Sequence, residues 1–93
     1  MIEKNYPLRI LTSERVFYEG RVVSLVAPGE LGYLGVLANH APLITTCVPG
    51  TFRFREPEGK VRLFKTGNGF LEVLRNEVTF LTEEISEAEE SHG

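Results

Sequence analysis

Nucleophilic chemistry in this chain would have to start from Cys47, its single thiol, or from a serine with a base and an orienting carboxylate nearby. Cys47 stands in the apolar run Ile44-Thr45-Thr46-Cys47-Val48, where a thiol serves as an inert packing residue. General acid–base work wants paired carboxylates. Aspartate is absent, and the glutamates mostly flank turns or crowd the C-terminus. A metal centre needs several His, Cys or carboxylate groups at workable spacing. One cysteine and two histidines, with His92 beside the C-terminus, do not supply them. The sequence therefore predicts no catalytic residue, no metal and no bound cofactor. The expectation is a docking protein, not an enzyme.

Two further patterns come out the same way. Gly67-Asn68-Gly69-Phe70-Leu71-Glu72 opens like a dinucleotide fingerprint, but it lacks the third glycine and runs into a strand. Without a helix N-terminus there is no dipole for a phosphate, so these glycines are expected to serve a bulge or tight turn. Arg53, Arg55, Arg62 and Lys65 make the central hairpin basic. An oligonucleotide-binding barrel would interleave aromatic rings with those charges on one face. Here Phe52 and Phe54 alternate to the opposite face, which leaves a solvated basic surface. No nucleic-acid partner is expected. A stand-alone nucleic-acid- or carbohydrate-binding β-barrel is the alternative reading.

The elements that position these residues are strands. Leu8–Thr12 opens the chain, and Arg21–Ala27 follows with apolar residues on both faces, which predicts a strand covered on both sides. Short runs at Tyr33–Leu37, Leu43–Val48, Thr51–Arg55, Val61–Thr66, Phe70–Leu74 and Val78–Leu81 are separated by glycine, proline or asparagine turns. Strands at this spacing predict an all-β sandwich or flattened barrel. One domain, residues 1–82, is expected. Five of the 13 acids lie in residues 83–93, so the body carries ten bases against eight acids and the tail is acidic. With only Ile85 and Ala88 to bury, that tail is expected to be disordered or a frayed helix. The first residues lack the apolar stretch of a signal peptide, and no run is long enough to span a bilayer.

Residues 28–42, Pro28-Gly29-Glu30-Leu31-Gly32-Tyr33-Leu34-Gly35-Val36-Leu37-Ala38-Asn39-His40-Ala41-Pro42, resemble the signature of the epsilon subunit of F-type ATP synthases. Leu8-Arg9-Ile10-Leu11-Thr12, Gly69-Phe70-Leu71-Glu72-Val73 and Asn76-Glu77-Val78-Thr79-Phe80-Leu81 resemble further family motifs in the same order. The resemblance implies a β-sandwich of about ten strands in the central stalk, against the gamma subunit and over the ring of c subunits. It implies a non-catalytic rotor part that helps couple ion flow to ATP synthesis, peripheral on the cytoplasmic face of the bacterial inner membrane. ATP chemistry would belong to the alpha and beta subunits.

Carried over by position, the ring-facing residues would be Glu30, Leu31, Tyr33 and His40. The gamma-facing ones would be Phe17, Ala41, Ile44 and Thr45. The family often has an acidic residue where Tyr33 stands, so packing or stacking is expected to replace a polar contact there. Family members commonly continue into a C-terminal helical hairpin that can inhibit ATP hydrolysis or bind ATP. This chain is expected to be a naturally short form without the hairpin and without that inhibition. The glycines and prolines of residues 28–42 are expected to force an irregular rim, with Gly35 in an unusual backbone conformation that a larger residue would disrupt.

Overall fold

The computed structural model describes residues 4–88. Ten strands follow one another: β1 (Tyr6–Leu11), β2 (Val16–Val22), β3 (Ser24–Gly29), β4 (Gly32–Leu37), β5 (Leu43–Cys47), β6 (Gly50–Arg55), β7 (Val61–Thr66), β8 (Gly69–Leu74), β9 (Glu77–Thr82) and β10 (Ile85–Glu87). Hydrogen bonding runs in the order β10-β7-β6-β3-β5-β8-β9-β1-β2, with β4 on the free side of β3. The sheet doubles over on itself into a β-sandwich. One layer is β2-β1-β9-β8-β5, in which β1 and β9 run parallel; the other is β4-β3-β6-β7-β10. The expected all-β sandwich is what forms, and no described residue is helical, so no helix here is long and apolar enough to cross a membrane.

Strict alternation builds the interior. In β6 Phe52 and Phe54 are buried while Arg53 points to solvent, as the two-residue period of a strand requires. Phe52 stacks on Phe80 of the opposite layer, with ring centroids 4.5 Å apart and planes 19° apart. Phe17 of β2 meets Phe64 of β7 edge-on at 5.3 Å, and Tyr18 lies 4.6 Å from Phe54. Tyr6 is buried between the layers, and its hydroxyl donates to the Val36 carbonyl at 2.6 Å. A buried phenol without that acceptor would be costly.

The run Arg21–Ala27 is not one doubly covered strand. It breaks at Val23, whose N–H donates to the Arg55 carbonyl at 2.9 Å, and there the chain passes from the first layer to the second. Val22 and Val23 are both buried although adjacent, which a flat strand forbids and a corner permits. A second corner lies at Val48–Pro49. There β5 and β6 run along the same side of β3, pairing with Gly29 and with Ser24–Val26 respectively.

Residues 28–37 do not form an irregular rim. They complete a regular hairpin, in register from Ser24↔Leu37 to Gly29↔Gly32, with Glu30 and Leu31 as its tip. Gly32 takes φ 127° to close the turn, but Gly35 has an ordinary strand backbone. A Cβ at Gly35 would meet nothing nearer than the Leu25 carbonyl at 3.8 Å. The irregular part is residues 38–42. The tail expectation also changes: Ile85–Glu87 is not helix but the edge strand β10, paired with β7. It is anchored by Thr82, whose buried hydroxyl accepts from the Gly67 N–H at 3.2 Å and donates to the Glu84 carbonyl at 3.0 Å. The remainder of the expected tail, residues 89–93, lies outside the described residues.

The glycine at which a Cβ would collide most severely with backbone is Gly69. A Cβ there would sit 2.0 Å from the Leu81 carbonyl oxygen, so β8 and β9 could not pair. Gly69→Ala is expected to destabilise the domain by about 2–4 kcal/mol, whereas Gly35→Ala stays within about 0.5 kcal/mol of the parent. Urea denaturation of the two variants checks this, and equal midpoints would contradict it.

Alkaline stability provides a second test. Burial, helped by the hydrogen bond to Glu56, pushes the Tyr18 phenol up to about 12, and burial raises Tyr6 as well. Both groups keep their protons more tightly when folded than when unfolded. The stability they lend is complete below the unfolded value near pH 10 and is lost as pH rises through the folded values. Circular dichroism at rising pH is expected to show the fall beginning near pH 10, and Tyr18→Phe to make it shallower. A stability that is flat from pH 9 to about pH 12 would overturn this.

Candidate docking interface

The tip of the β3–β4 hairpin projects from the sandwich, and Leu31 there is fully exposed at 102%. The turn is tied to β5 twice. The Glu30 N–H donates to the Thr46 carbonyl at 3.0 Å, and the Thr46 hydroxyl donates to the Glu30 carboxylate at 2.6 Å. Tyr33 lies outward on β4, and its hydroxyl accepts from the Thr51 N–H at 3.2 Å, just beyond the second corner. The ring stays exposed while its polar end is occupied. Next along the chain, the His40 N–H donates to the Leu37 carbonyl at 3.2 Å, and its Nδ1 lies 2.7 Å from the Ala41 carbonyl, to which it can donate.

These side chains meet around a shallow hollow of about 330 Å³, lined by Leu31, Tyr33, His40, Leu43 and Thr45 with the glycine backbone of β4. The hollow joins three of the four residues expected to face the ring (Leu31, Tyr33 and His40) with Thr45 from the expected gamma-facing set. Glu30 does not line it; its carboxylate is turned to Thr46. Ala41 is exposed in the 38–42 loop. Phe17 stands apart: β2 and β5 are opposite ends of the same layer, and Phe17 lies between Phe64 and the Arg15 guanidinium, 5.3 Å from each.

Ile44 belongs to a different surface, the outer face of β5, β8 and β9. It is 72% exposed and pairs with Glu72, so Phe70 and Leu74 flank it diagonally on β8. Phe70, 54% exposed, pairs with Leu81, 42% exposed, on β9. Toward the end of the layer these two line a larger hollow of about 460 Å³ with Cys47 and Thr82. Phe70, Leu74 and Leu81 are not among the residues expected to face a partner. The signal was present, because β8 is apolar at Leu71 and Val73 on its inner face and at Phe70 and Leu74 on its outer one.

Reactive groups do not gather. Among the described residues no three His, Cys or carboxylate side chains lie close enough to hold a metal ion. Burial pushes the Cys47 thiol up, away from the thiolate form. What the surface offers is apolar area next to a hollow rimmed by Tyr33 and His40, suited to contact with another protein.

Comparison with known proteins agrees with this architecture. The sequence model of the "ATP synthase, Delta/Epsilon chain, beta-sandwich domain" matches residues 5–88. The ATP synthase epsilon chain of Pelotomaculum thermopropionicum is 44% identical over 97% of this chain and 66% of its own length. That of Dichelobacter nodosus is 36% identical over 91% of this chain and 59% of its own. The chain thus spans about three-fifths to two-thirds of the length of these curated relatives. Two solved structures share the fold. A chain of the Euglena gracilis mitochondrial ATP synthase, in an assembly described as OSCP/F1/c-ring, superposes with a TM-score of 0.86 at 21% identity, covering 94% of this chain and 56% of that one. A chain of the Tetrahymena thermophila central stalk and c-ring gives 0.76 at 12% identity, covering 94% and 69%. Sandwich, strand order and sequence lead to one conclusion: this chain belongs to the ATP synthase epsilon-chain family, whose β-sandwich domain it carries.

Proposed function

We propose that this chain is a non-catalytic part of the central stalk of an F-type ATP synthase, joining the gamma subunit to the ring of c subunits. The observation that carries the reading is the pairing of two adjacent surfaces of different character. One is the outer face of β5, β8 and β9, where Ile44, Phe70, Leu74 and Leu81 surround Glu72; the other is the exposed rim of Leu31, Tyr33 and His40. A broad, largely apolar face fits a lasting contact and is assigned to gamma, together with Ala41 of the neighbouring loop; Thr45, on the opposite side of β5 from Ile44, would meet gamma only from the hollow. A projecting tip led by one exposed leucine fits the narrow loops of a ring and is assigned to the c subunits, with Glu30 beside it. Phe17, separated from Ile44 by three intervening strands, would need a separate contact with gamma.

The neighbours of known structure support a place in such an assembly, since both come from assemblies described as containing a c-ring. In this role the domain transmits rotation by holding two partners in fixed register, and ATP is made elsewhere in the complex. Its place is peripheral to the membrane, on the cytoplasmic face in a bacterial cell, reached through the complex.

Binding assays with purified gamma and with a c-ring test the reading. Phe70→Glu is expected to weaken gamma binding at least tenfold by removing the largest apolar side chain of the face and burying a second carboxylate beside Glu72, without loss of thermal stability. His40→Ala is expected to weaken ring attachment severalfold and leave gamma binding and nucleotide hydrolysis by alpha–beta sites unchanged. Undiminished gamma binding by Phe70→Glu would remove the assignment of that face.

A further inference from the structure

Arg75 and Asn76 form the two-residue turn between Leu74 and Glu77, with φ of 51° and 59°. Such a turn asks for residues tolerant of the left-handed region, and glycine or asparagine meets that demand by backbone alone. The Asn76 side chain does something the turn does not need. Its Oδ1 accepts from the Asn39 N–H at 2.6 Å, across 37 residues of sequence.

Asn39 has φ 64° and leads directly into His40. Residues 38–42 belong to no strand, so no ladder fixes them. Two of their hydrogen bonds are local, from the His40 N–H to Leu37 and from its ring to Ala41. The bond to Asn76 reaches another element, the end of β8 and β9. Those two strands also carry Phe70, Leu74 and Leu81 on their outer face.

We infer that Asn76 is a positioning residue for the rim. Its amide latches the His40 loop to the β8–β9 turn and holds the loop in the form that docks. The inference rests on the reading of that rim as a docking surface. It also makes the rim dependent on the layer that carries the apolar face, so the two surfaces share one anchor point.

Two substitutions separate the latch from the turn. Asn76→Gly keeps a residue suited to positive φ and removes the acceptor; Asn76→Asp keeps an acceptor oxygen at the same reach. Each variant is compared with the unaltered chain in two measurements: amide exchange at Asn39 in the free protein, and binding of the chain, in complex with gamma, to a c-ring. Asn76→Gly is expected to exchange about fivefold faster at Asn39 with an unchanged melting temperature, and to bind the ring about fivefold more weakly. Asn76→Asp is expected to restore both. Unchanged exchange in Asn76→Gly would show that no latch exists, and faster exchange with undiminished binding would show that it positions nothing. If the unaltered chain fails to bind the ring, the docking reading falls and the positioning role with it. The exchange measurement would still report whether the bond holds the loop.

Discussion

Phe52 on Phe80, stacked across the gap between the layers, is the contact on which the rest of the sandwich depends. It sits where the two curled layers come together, and Phe54, Phe64, Phe17 and Tyr18 continue the aromatic packing toward the β2–β7 side. Losing one buried phenylalanine typically costs about 3–5 kcal/mol. Domains of this size are stable by only about 5–15 kcal/mol, so a single ring is a large share of the whole. The core must therefore be filled from few residues, and large flat rings fill it with fewest.

That economy inside contrasts with the outside. Isolated exposed apolar side chains are ordinary and call for no explanation. Ile44, Phe70 and Leu81 are different because strand register makes them neighbours on one face. The core does not use them, since the inner positions of the same strands are filled by Leu71, Val73, Val78 and Phe80. That outer face is not purely apolar, since Glu72 stands opposite Ile44 and Glu77 opposite Leu74, while the exposed Arg53 lies on the outside of the other layer.

Strand alternation was legible wherever one face is buried, and Phe52 and Phe54 are the clear case. The corners were not. A run of valines and leucines looks the same whether a strand is covered on both sides or changes layer, and Arg21–Ala27 does the latter. The strand β10 was hidden for a different reason. It has little to bury beyond Ile85, and much of what holds it is backbone pairing to β7, the Thr82 hydroxyl and the Arg62–Glu87 ion pair, none of which leaves a pattern in composition. The family motif over residues 28–42 was visible in the sequence, but not the regular hairpin most of it forms, nor its internal ties. Tyr33 to Thr51 and Asn39 to Asn76 join residues far apart in sequence, and only the folded chain brings them together.

The two corners have a mechanical meaning. In a sandwich whose layers are joined only by loops, the layers can slide over one another at the cost of side-chain repacking. Here two backbones, at Val22–Ser24 and at Val48–Gly50, pass from layer to layer as nearly continuous strands, each hydrogen-bonded at the crossing. Shear would have to pull on those backbones and break those bonds, so the easiest deformation of the architecture is closed off. A body clamped in this way passes a twist applied at one surface to another with little lag.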